Sequence, residues 1–334
     1  MRLEEILPFT TRDLLRLPAR LLGLRRIADA FRSGAAPERL HGFFNTAPLE
    51  RLVMGSIPWR EIRRNVREGH VDAVCVAATQ IATGRVVAFI DSREPLSSRW
   101  DRDPMVVPRQ VHLRPTHALA SAAIPMLFPA VRLGRSYYAD GGLRLNTPLA
   151  PALRLGADRL LVVALRQSER EAHKAALARM RVQDYANPMF LFGKVLNALL
   201  LDPVDTDLAR MRLMNQLLED GQSAFGASFL AELNQVARSA GRTAVKRIDD
   251  LVIRPSRDLS QLAGEVLAQI PSARLRSPLL RFAARGTKGS GPTPEADLMS
   301  YLLFDGEFAR PLAELGFKDA CAQEEALCRF FSDD

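Results

Sequence analysis

Lysine, cysteine and long apolar runs are all scarce in this sequence. Only 5 of its 46 basic residues are lysine, and the other 41 are arginine, a bias that coding composition alone can produce. The sequence has no basic stripe interleaved with aromatic residues, which single-stranded nucleic acid would need. We therefore do not expect a nucleic-acid partner, and the net charge of +8 points instead to an acidic partner such as an anionic membrane surface.

The three cysteines form neither a metal-binding pattern nor a disulfide framework. Cys75 lies in an apolar segment, and Cys321 and Cys328 are seven residues apart on one face of a predicted helix. These spacings do not fit a zinc site, and no HExxH or HxH pattern is present. We therefore predict no metal and no other cofactor, and we expect a reducing compartment.

No segment is expected to direct secretion or to cross a membrane. The first residues carry acids and a proline where a signal peptide has an apolar core. The longest apolar stretch, 188–201, contains Lys194 and Asn197 and is too short to span a bilayer. We predict a cytoplasmic protein. Two helices, 11–31 and 189–201, could place it at a membrane periphery, although burial in the fold is the simpler interpretation of both.

Apolar strands alternate with helices in the first half of the chain, which predicts an α/β fold. The predicted strands are Val71–Ala78, Arg85–Ile90, Ala130–Tyr138 and Arg159–Leu165, with a polar loop at 92–109. A short helix at 148–155 separates the last two strands. A strand, a helix and a strand within about thirty residues are typical of a parallel βαβ unit. The expected sheet is therefore mostly parallel.

The second half of the chain is predicted to be mostly helical. Helices are expected at 169–181, 188–201, 205–219, 225–238, 258–270, 295–303 and 318–331, with one strand at 251–254. We divide the chain into a domain at 1–167 and a helical region at 168–334. The region could be a separate domain or a cap on the sheet.

The run Asp140-Gly141-Gly142 follows an apolar strand directly and precedes Asn146-Thr147-Pro148. Two glycines allow the backbone to turn at any φ, so the carboxylate can be held at the end of a sheet without crowding a nearby group. An Asp-Gly pair by itself is more often a simple turn. A carboxylate that is buried there can have a raised pKa and can serve as a general base.

With its surroundings, HALASAAIPMLFPAV from His117 and LGADRLLVVAL from Leu155, this run resembles the aspartate half of a patatin-like phospholipase. The resemblance, strongest over about residues 50–165, implies a three-layer α/β fold and a serine–aspartate dyad that hydrolyses lipid esters in lipid catabolism. It assigns Asp140 the role of general base, supported by Gly141 and Gly142. A lipid or ester is the implied substrate.

Other polar residues near the motif are expected to be structural. Ser121 lies in an alanine-rich helix and is interpreted as a packing residue, and His117 opens that helix without a nameable partner. Asn146 is expected to tie its loop by side-chain hydrogen bonds. The acidic cluster Asp202, Asp205 and Asp207 is explained by the start of a helix rather than by a bound cation.

The family's second half is missing from the sequence. No Gly-x-Ser-x-Gly elbow occurs in the 334 residues, and no glycine pair that could form an oxyanion loop precedes Asp140. We therefore expect the chain to be N-terminally incomplete as a catalytic domain and inactive alone. Three interpretations remain open: a hydrolase recorded from a wrong start, a non-catalytic relative that binds lipid or protein, and a chain complemented by a separate N-terminal segment.

Overall fold

The structure, a computed structural model, describes residues 46–96, 100, 106–125, 127–145, 149–167, 204–242, 244–269 and 306–332. In this part of the chain the helices are α1 (Ala47–Ser56), α2 (Trp59–Glu68), α3 (Pro115–Ser121), α4 (Leu149–Leu155), α5 (Val204–Phe225), α6 (Phe229–Ser239), α7 (Leu259–Gln269), α8 (Gly306–Cys321) and α9 (Glu324–Phe331). The strands are β1 (Ala73–Gln80), β2 (Val86–Ser92), β3 (Val106–Gln110), β4 (Val131–Leu133), β5 (Ser136–Asp140), β6 (Arg159–Val163) and β7 (Asp249–Ile253).

The main sheet has five strands in the order β3-β2-β1-β5-β4. The predicted α/β class is confirmed, but the prediction of a mostly parallel sheet is wrong for these strands. β1 runs antiparallel to β2 and to β5, and β4 runs antiparallel to β5, so only β2 and β3 are parallel. The cause is the short connection between β1 and β2, which reverses the chain at Gly84 (φ +65°) and leaves no room for a crossover.

Two further strand predictions need correction. The segment predicted as one strand at 130–138 is a hairpin, because Gly134 (φ +63°) turns the chain between β4 and β5. The loop predicted at 92–109 contains most of β3, which pairs in parallel with β2 and carries Pro108. Proline is compatible with an edge strand, where one side of the backbone has no ladder partner.

Apolar side chains cover both faces of the main sheet, which accounts for the near-continuous apolar runs of β1 and β2. One face packs Ala77, Ala88 and Ile90 against Trp100 and, from α4, Leu155. The opposite face packs Ala78, Val87, Phe89 and Tyr138 against Ala120 of α3. Helix, sheet and helix therefore form three layers, as the predicted fold class requires.

A second sheet consists of β6 and β7, which are parallel. Leu160 and Val162 of β6 pack with Leu149 of α4 and with Val204 and Leu208 of α5. The predicted βαβ unit is thus not formed with β5, since the hydrogen-bonded neighbour of β6 in this sheet is β7. The pairing joins residues on both sides of position 167, so the proposed division at that position cuts through a sheet.

The helices of the second half follow the predicted pattern with one exception. The predictions at 205–219, 225–238 and 258–270 correspond to α5, α6 and α7, and the strand at 251–254 corresponds to β7. The single helix predicted at 318–331 is wrong: α8 ends at Cys321 and α9 begins at Glu324, so Cys321 and Cys328 lie on different helices. All three cysteines are free thiols.

Four predicted helices, 11–31, 169–181, 188–201 and 295–303, lie outside the described residues. Within the described ranges, no helix combines the length and the apolar character that a membrane span requires.

Candidate active site

Asp140 is the last residue of β5, and its backbone is held from two sides. Its N–H donates to the Ala123 carbonyl after α3 (2.8 Å), and its carbonyl accepts from Thr79 Oγ1 of β1 (2.9 Å). The Asp140 Oδ1 atom accepts from the Gly142 N–H (2.6 Å), which forms a tight turn. The sheet, α3 and the glycine turn therefore fix where the carboxylate lies.

Gly141 is needed at its position for a steric reason. A Cβ atom built on Gly141 would lie 2.2 Å from the carbonyl oxygen of Ala77 on β1. No side chain larger than hydrogen fits against a backbone atom at that distance. The glycine that follows Asp140 thus lets the short 3₁₀ helix Gly141–Leu143 pack directly on the central strand.

Burial raises the pKa of the Asp140 carboxyl from 3.8 to about 6, and the hydrogen bond from Gly142 opposes the rise. Burial favours the neutral acid because the charged form loses its water. A pKa of about 6 leaves the group ionised at neutral pH and makes it a stronger base than an ordinary aspartate. The geometry therefore gives Asp140 the properties that a general base requires.

A cavity of about 170 Å³ lies between α1, α3 and the segment 128–132, and Asp140 itself is not among its lining residues. Its wall is mostly apolar, with Leu49 and Met54 from α1 and Leu119 and Ala123 from the α3 region. Ala123 is also the residue whose carbonyl accepts the Asp140 N–H. The cavity and the Asp140 turn thus share one backbone segment.

His117 has a structural role in this geometry, as predicted. Its Nδ1 accepts the backbone N–H of Arg114 (3.0 Å), and its ring packs on Phe89 with centroids 4.7 Å apart. Burial, followed by the charge of Arg114, lowers the pKa of His117 and keeps the imidazole neutral. It is therefore a helix-start residue rather than a partner for Asp140.

The remaining predicted residues are only partly placed by the structure. Ser121 is the last residue of α3 and is half-buried. Asp205 and Asp207 lie in the first turn of α5, as predicted, where they pair with Arg254 and with Arg210 respectively. Asn146, Thr147, Pro148 and Asp202 lie outside the described residues.

Sequence reasoning missed three residues around the Asp140 turn. Thr79 and Ala123 bind the backbone of Asp140, and Gly141 packs against the carbonyl of Ala77. Thr79 is buried and binds the Asp140 carbonyl through its hydroxyl, whereas Ala77 and Ala123 contribute backbone carbonyls. Backbone contacts between distant segments carry no residue signature. Only Thr79 offered a signal, as a polar residue at the end of an apolar strand.

Comparison with protein families connects this geometry to lipid chemistry. The model of the family described as patatin-like phospholipase matches residues 3–153, a little under half of the 334 residues. The predicted resemblance is confirmed. The patatin-like segment includes the main sheet, the cavity wall and Asp140-Gly141-Gly142. The match is to a family of phospholipases and concerns this segment of the chain. A comparison with curated proteins gave no match.

Proposed function

We propose that Asp140 is the general base of a serine–aspartate dyad that hydrolyses lipid esters in lipid catabolism. The observation that carries the proposal is a half-buried carboxylate with a raised pKa, fixed by a glycine turn in the patatin-like segment. Gly141 and Gly142 support that position. The apolar cavity offers room for part of an acyl chain.

In the proposed reaction, Asp140 takes the proton of a serine hydroxyl while the serine oxygen attacks the ester carbonyl carbon. The tetrahedral intermediate collapses to an acyl-enzyme, and the alcohol leaves with the proton that Asp140 returns. Water then attacks the acyl-enzyme, with Asp140 again as the base, and the fatty acid is released. Neither a metal nor a histidine base takes part in this scheme.

The serine is the part of the scheme that this sequence does not contain, since none of its serines lies in a Gly-x-Ser-x-Gly elbow. We propose that the nucleophile and the oxyanion donors come from a segment beyond these 334 residues, joined to the chain or complementing it. The chain alone is then expected to show no ester hydrolysis, because both the nucleophile and the oxyanion donors are required.

The test uses an extended polypeptide, encoded by the reading frame that continues upstream of the Met1 codon. Its hydrolysis of p-nitrophenyl butyrate is measured. The extended polypeptide is expected to be active, and Asp140→Asn to lower kcat/KM by about 10³-fold or more. The matched control is Asp220→Asn, which changes an exposed carboxylate on α5 and should retain activity. Full activity of the Asp140→Asn variant would disprove the dyad.

A second candidate is a non-catalytic relative that binds lipid or protein. The absence of the elbow from the sequence favours it, and the cavity would serve as the binding site for an acyl chain. In this case a fluorescent fatty acid should bind with equal affinity to the chain and to its Asp140→Asn variant. No polypeptide that contains the chain should then hydrolyse the ester.

A further inference from the structure

The corner between α1 and α2 exposes three large apolar side chains within six residues. Leu52 is 43% exposed, Met54 is 55% exposed and Ile57 is 36% exposed. Leu52 and Met54 are exposed residues of α1, two positions apart, and Ile57 follows the end of that helix. Single exposed apolar residues are ordinary, but a group of them next to basic residues is typical of a surface that contacts a membrane or a partner.

The solvent side of α2 carries only charged residues, with four arginines at helical spacing: Arg60, Arg63, Arg64 and Arg67. Val66 on the opposite side is buried, which fixes the arginines outward. Arg64 pairs with Glu61, and Arg67 lies 3.7 Å from Glu68. Arg60 and Arg63 make no ion pair within the described part of the chain, so their charges are available to an anionic partner.

The two helices are held at a fixed angle. The indole N–H of Trp59, the first residue of α2, donates to the Val53 carbonyl of α1 (2.9 Å). Only Ile57 and Pro58 connect the helices. The exposed apolar residues at the end of α1 therefore lie close to Arg60 at the start of α2. We call Leu52, Met54 and Ile57 with the arginines of α2 the α1–α2 corner.

The corner is continuous with the cavity. Met54 is both exposed and part of the cavity wall, which also contains Ala123. The carbonyl of Ala123 accepts the N–H of Asp140. The corner therefore borders the cavity, and one residue of the cavity wall is hydrogen-bonded to the backbone of the candidate base.

We propose that the α1–α2 corner docks on an anionic lipid bilayer and guides an acyl chain into the cavity. Guanidinium groups bind lipid phosphates with paired hydrogen bonds, and the side chains of Leu52, Met54 and Ile57 enter the interface. Charge complementarity favours this partner, because Arg60 and Arg63 have no internal counterion in the described residues. The inference deepens the proposed function by naming how the lipid substrate is presented.

The test is sedimentation of the full chain with vesicles, without any measurement of hydrolysis. The vesicles contain phosphatidylcholine alone, or equal amounts of phosphatidylcholine and phosphatidylglycerol. The chain should bind the anionic vesicles and bind the neutral ones at least about tenfold more weakly. The double variant Arg60→Glu with Arg63→Glu should lose about tenfold or more of the anionic binding. The control, Arg238→Glu with Arg242→Glu, makes the same charge change at exposed positions at the end of α6 and should bind like the parent.

A second variant, Leu52→Ser with Met54→Ser, should weaken binding to anionic vesicles even in salt that screens the arginines. Circular dichroism identifies variants that fail to fold, for which Arg60→Gln with Arg63→Gln is the milder replacement.

Equal loss in the control, or equal binding to neutral vesicles, would overturn the proposal. So would a dimer that the serine variant dissociates, or preferential binding to a single-stranded oligonucleotide through Arg60 and Arg63. Hydrolysis of a soluble ester tests the proposed function separately, so the two can fail independently.

Discussion

At the scale of single residues, the raised pKa of Asp140 makes it a stronger base and lowers the stability of the folded protein at neutral pH. The unfolded chain releases this proton near pH 3.8, whereas the folded chain holds it to about pH 6. Between these values the folded state binds more protons, so the free energy of unfolding falls as pH rises, and it remains lower above pH 6. A shift of about two units corresponds to a penalty of about 3 kcal/mol.

Asp140→Asn should remove this penalty. The amide oxygen can still accept the Gly142 N–H, and no charge is buried. We expect the free energy of unfolding to rise by up to about 3 kcal/mol at neutral pH and to change little below about pH 4, as measured by urea denaturation at both values. Asp220→Asn, at an exposed position, is the control without a pH-dependent gain. A variant that is less stable than the parent at neutral pH would contradict the conclusion that the charged form of Asp140 is disfavoured in the folded protein.

Gly141 gives a second prediction at this scale. Gly141→Ala places a Cβ atom against the Ala77 carbonyl, so β1 and the 3₁₀ turn must separate. We expect a loss of about 2–4 kcal/mol in the free energy of unfolding. The control is Gly316→Ala in α8, where nothing lies within 4 Å of the new atom. That change should stabilise the chain by about 0.5–1 kcal/mol. A mild effect at Gly141 would mean that the turn does not pack on β1 as described.

Of the candidate site, the sequence predicted the base and the turn but not the contacts around them. Asp140 could be identified because the glycine pair that follows it is unusual. Thr79 gave one signal, as a polar residue near the end of an apolar strand. Ala77 and Ala123 gave none, because they reach the Asp140 turn from segments that are far apart in the chain. Their contribution comes from pairing register and close approach, which depend on the completed fold.

At the scale of elements, two asparagines fix the segment that leads into β7. Asn215 of α5 donates to the Ile248 carbonyl and accepts the Ile248 N–H (2.7 and 3.0 Å). Asn234 of α6 makes the same two-way contact with Val245 (2.9 and 2.6 Å). Each amide replaces the strand neighbour that this irregular segment lacks, and so keeps its backbone groups hydrogen-bonded.

Replacing the Asn215 amide by a carboxylate tests this contact, because a carboxylate cannot donate a hydrogen bond to the Ile248 carbonyl. Asn215→Asp keeps the shape of the side chain but places a negative oxygen against the Ile248 carbonyl. We expect a loss of about 1–3 kcal/mol in stability and faster amide exchange in β7. Gln222→Glu, the same chemical change at an exposed position of α5, should cost less than about 0.5 kcal/mol. Equal effects of the two changes would show that the contact with Ile248 is not made.

The elements that could be predicted are those with strong local patterns. The apolar runs of β1 and β2 and the helices α5, α6 and α7 agree with the sequence to within a few residues. The predicted direction of the strands was wrong because strands covered on both faces have similar apolar sequences whether they are parallel or antiparallel. Gly134 lies within the segment predicted as one strand, but it turns the chain between β4 and β5. Pro108 lies within the predicted loop, but it belongs to the edge strand β3.

At the scale of the whole molecule, the helical half is joined to the part that precedes it rather than merely following it in the chain. Leu149 of α4, inside the patatin-like segment, packs with Val204 and Leu208 of α5, and β6, just beyond that segment, adds further contacts. The Nη1 atom of Arg159 on β6 donates to the carbonyl oxygens of Phe330 and Ser332 at the end of α9 (2.7 and 3.2 Å). The pairing of β6 with β7 joins the same two parts of the chain. The division at 167 and the choice between a separate domain and a cap stay predictions.

A pH–rate profile is the most direct test of the proposal that Asp140 is the base in ester hydrolysis. The measurement is kcat/KM for p-nitrophenyl butyrate between about pH 4.5 and 8, made on the polypeptide extended upstream of Met1. We predict that log kcat/KM rises with a slope of one and levels off near pH 6, the pKa of the half-buried Asp140 carboxyl. A profile that stays flat through pH 6, or one that is unchanged in the Asp140→Asn variant, would contradict the claim.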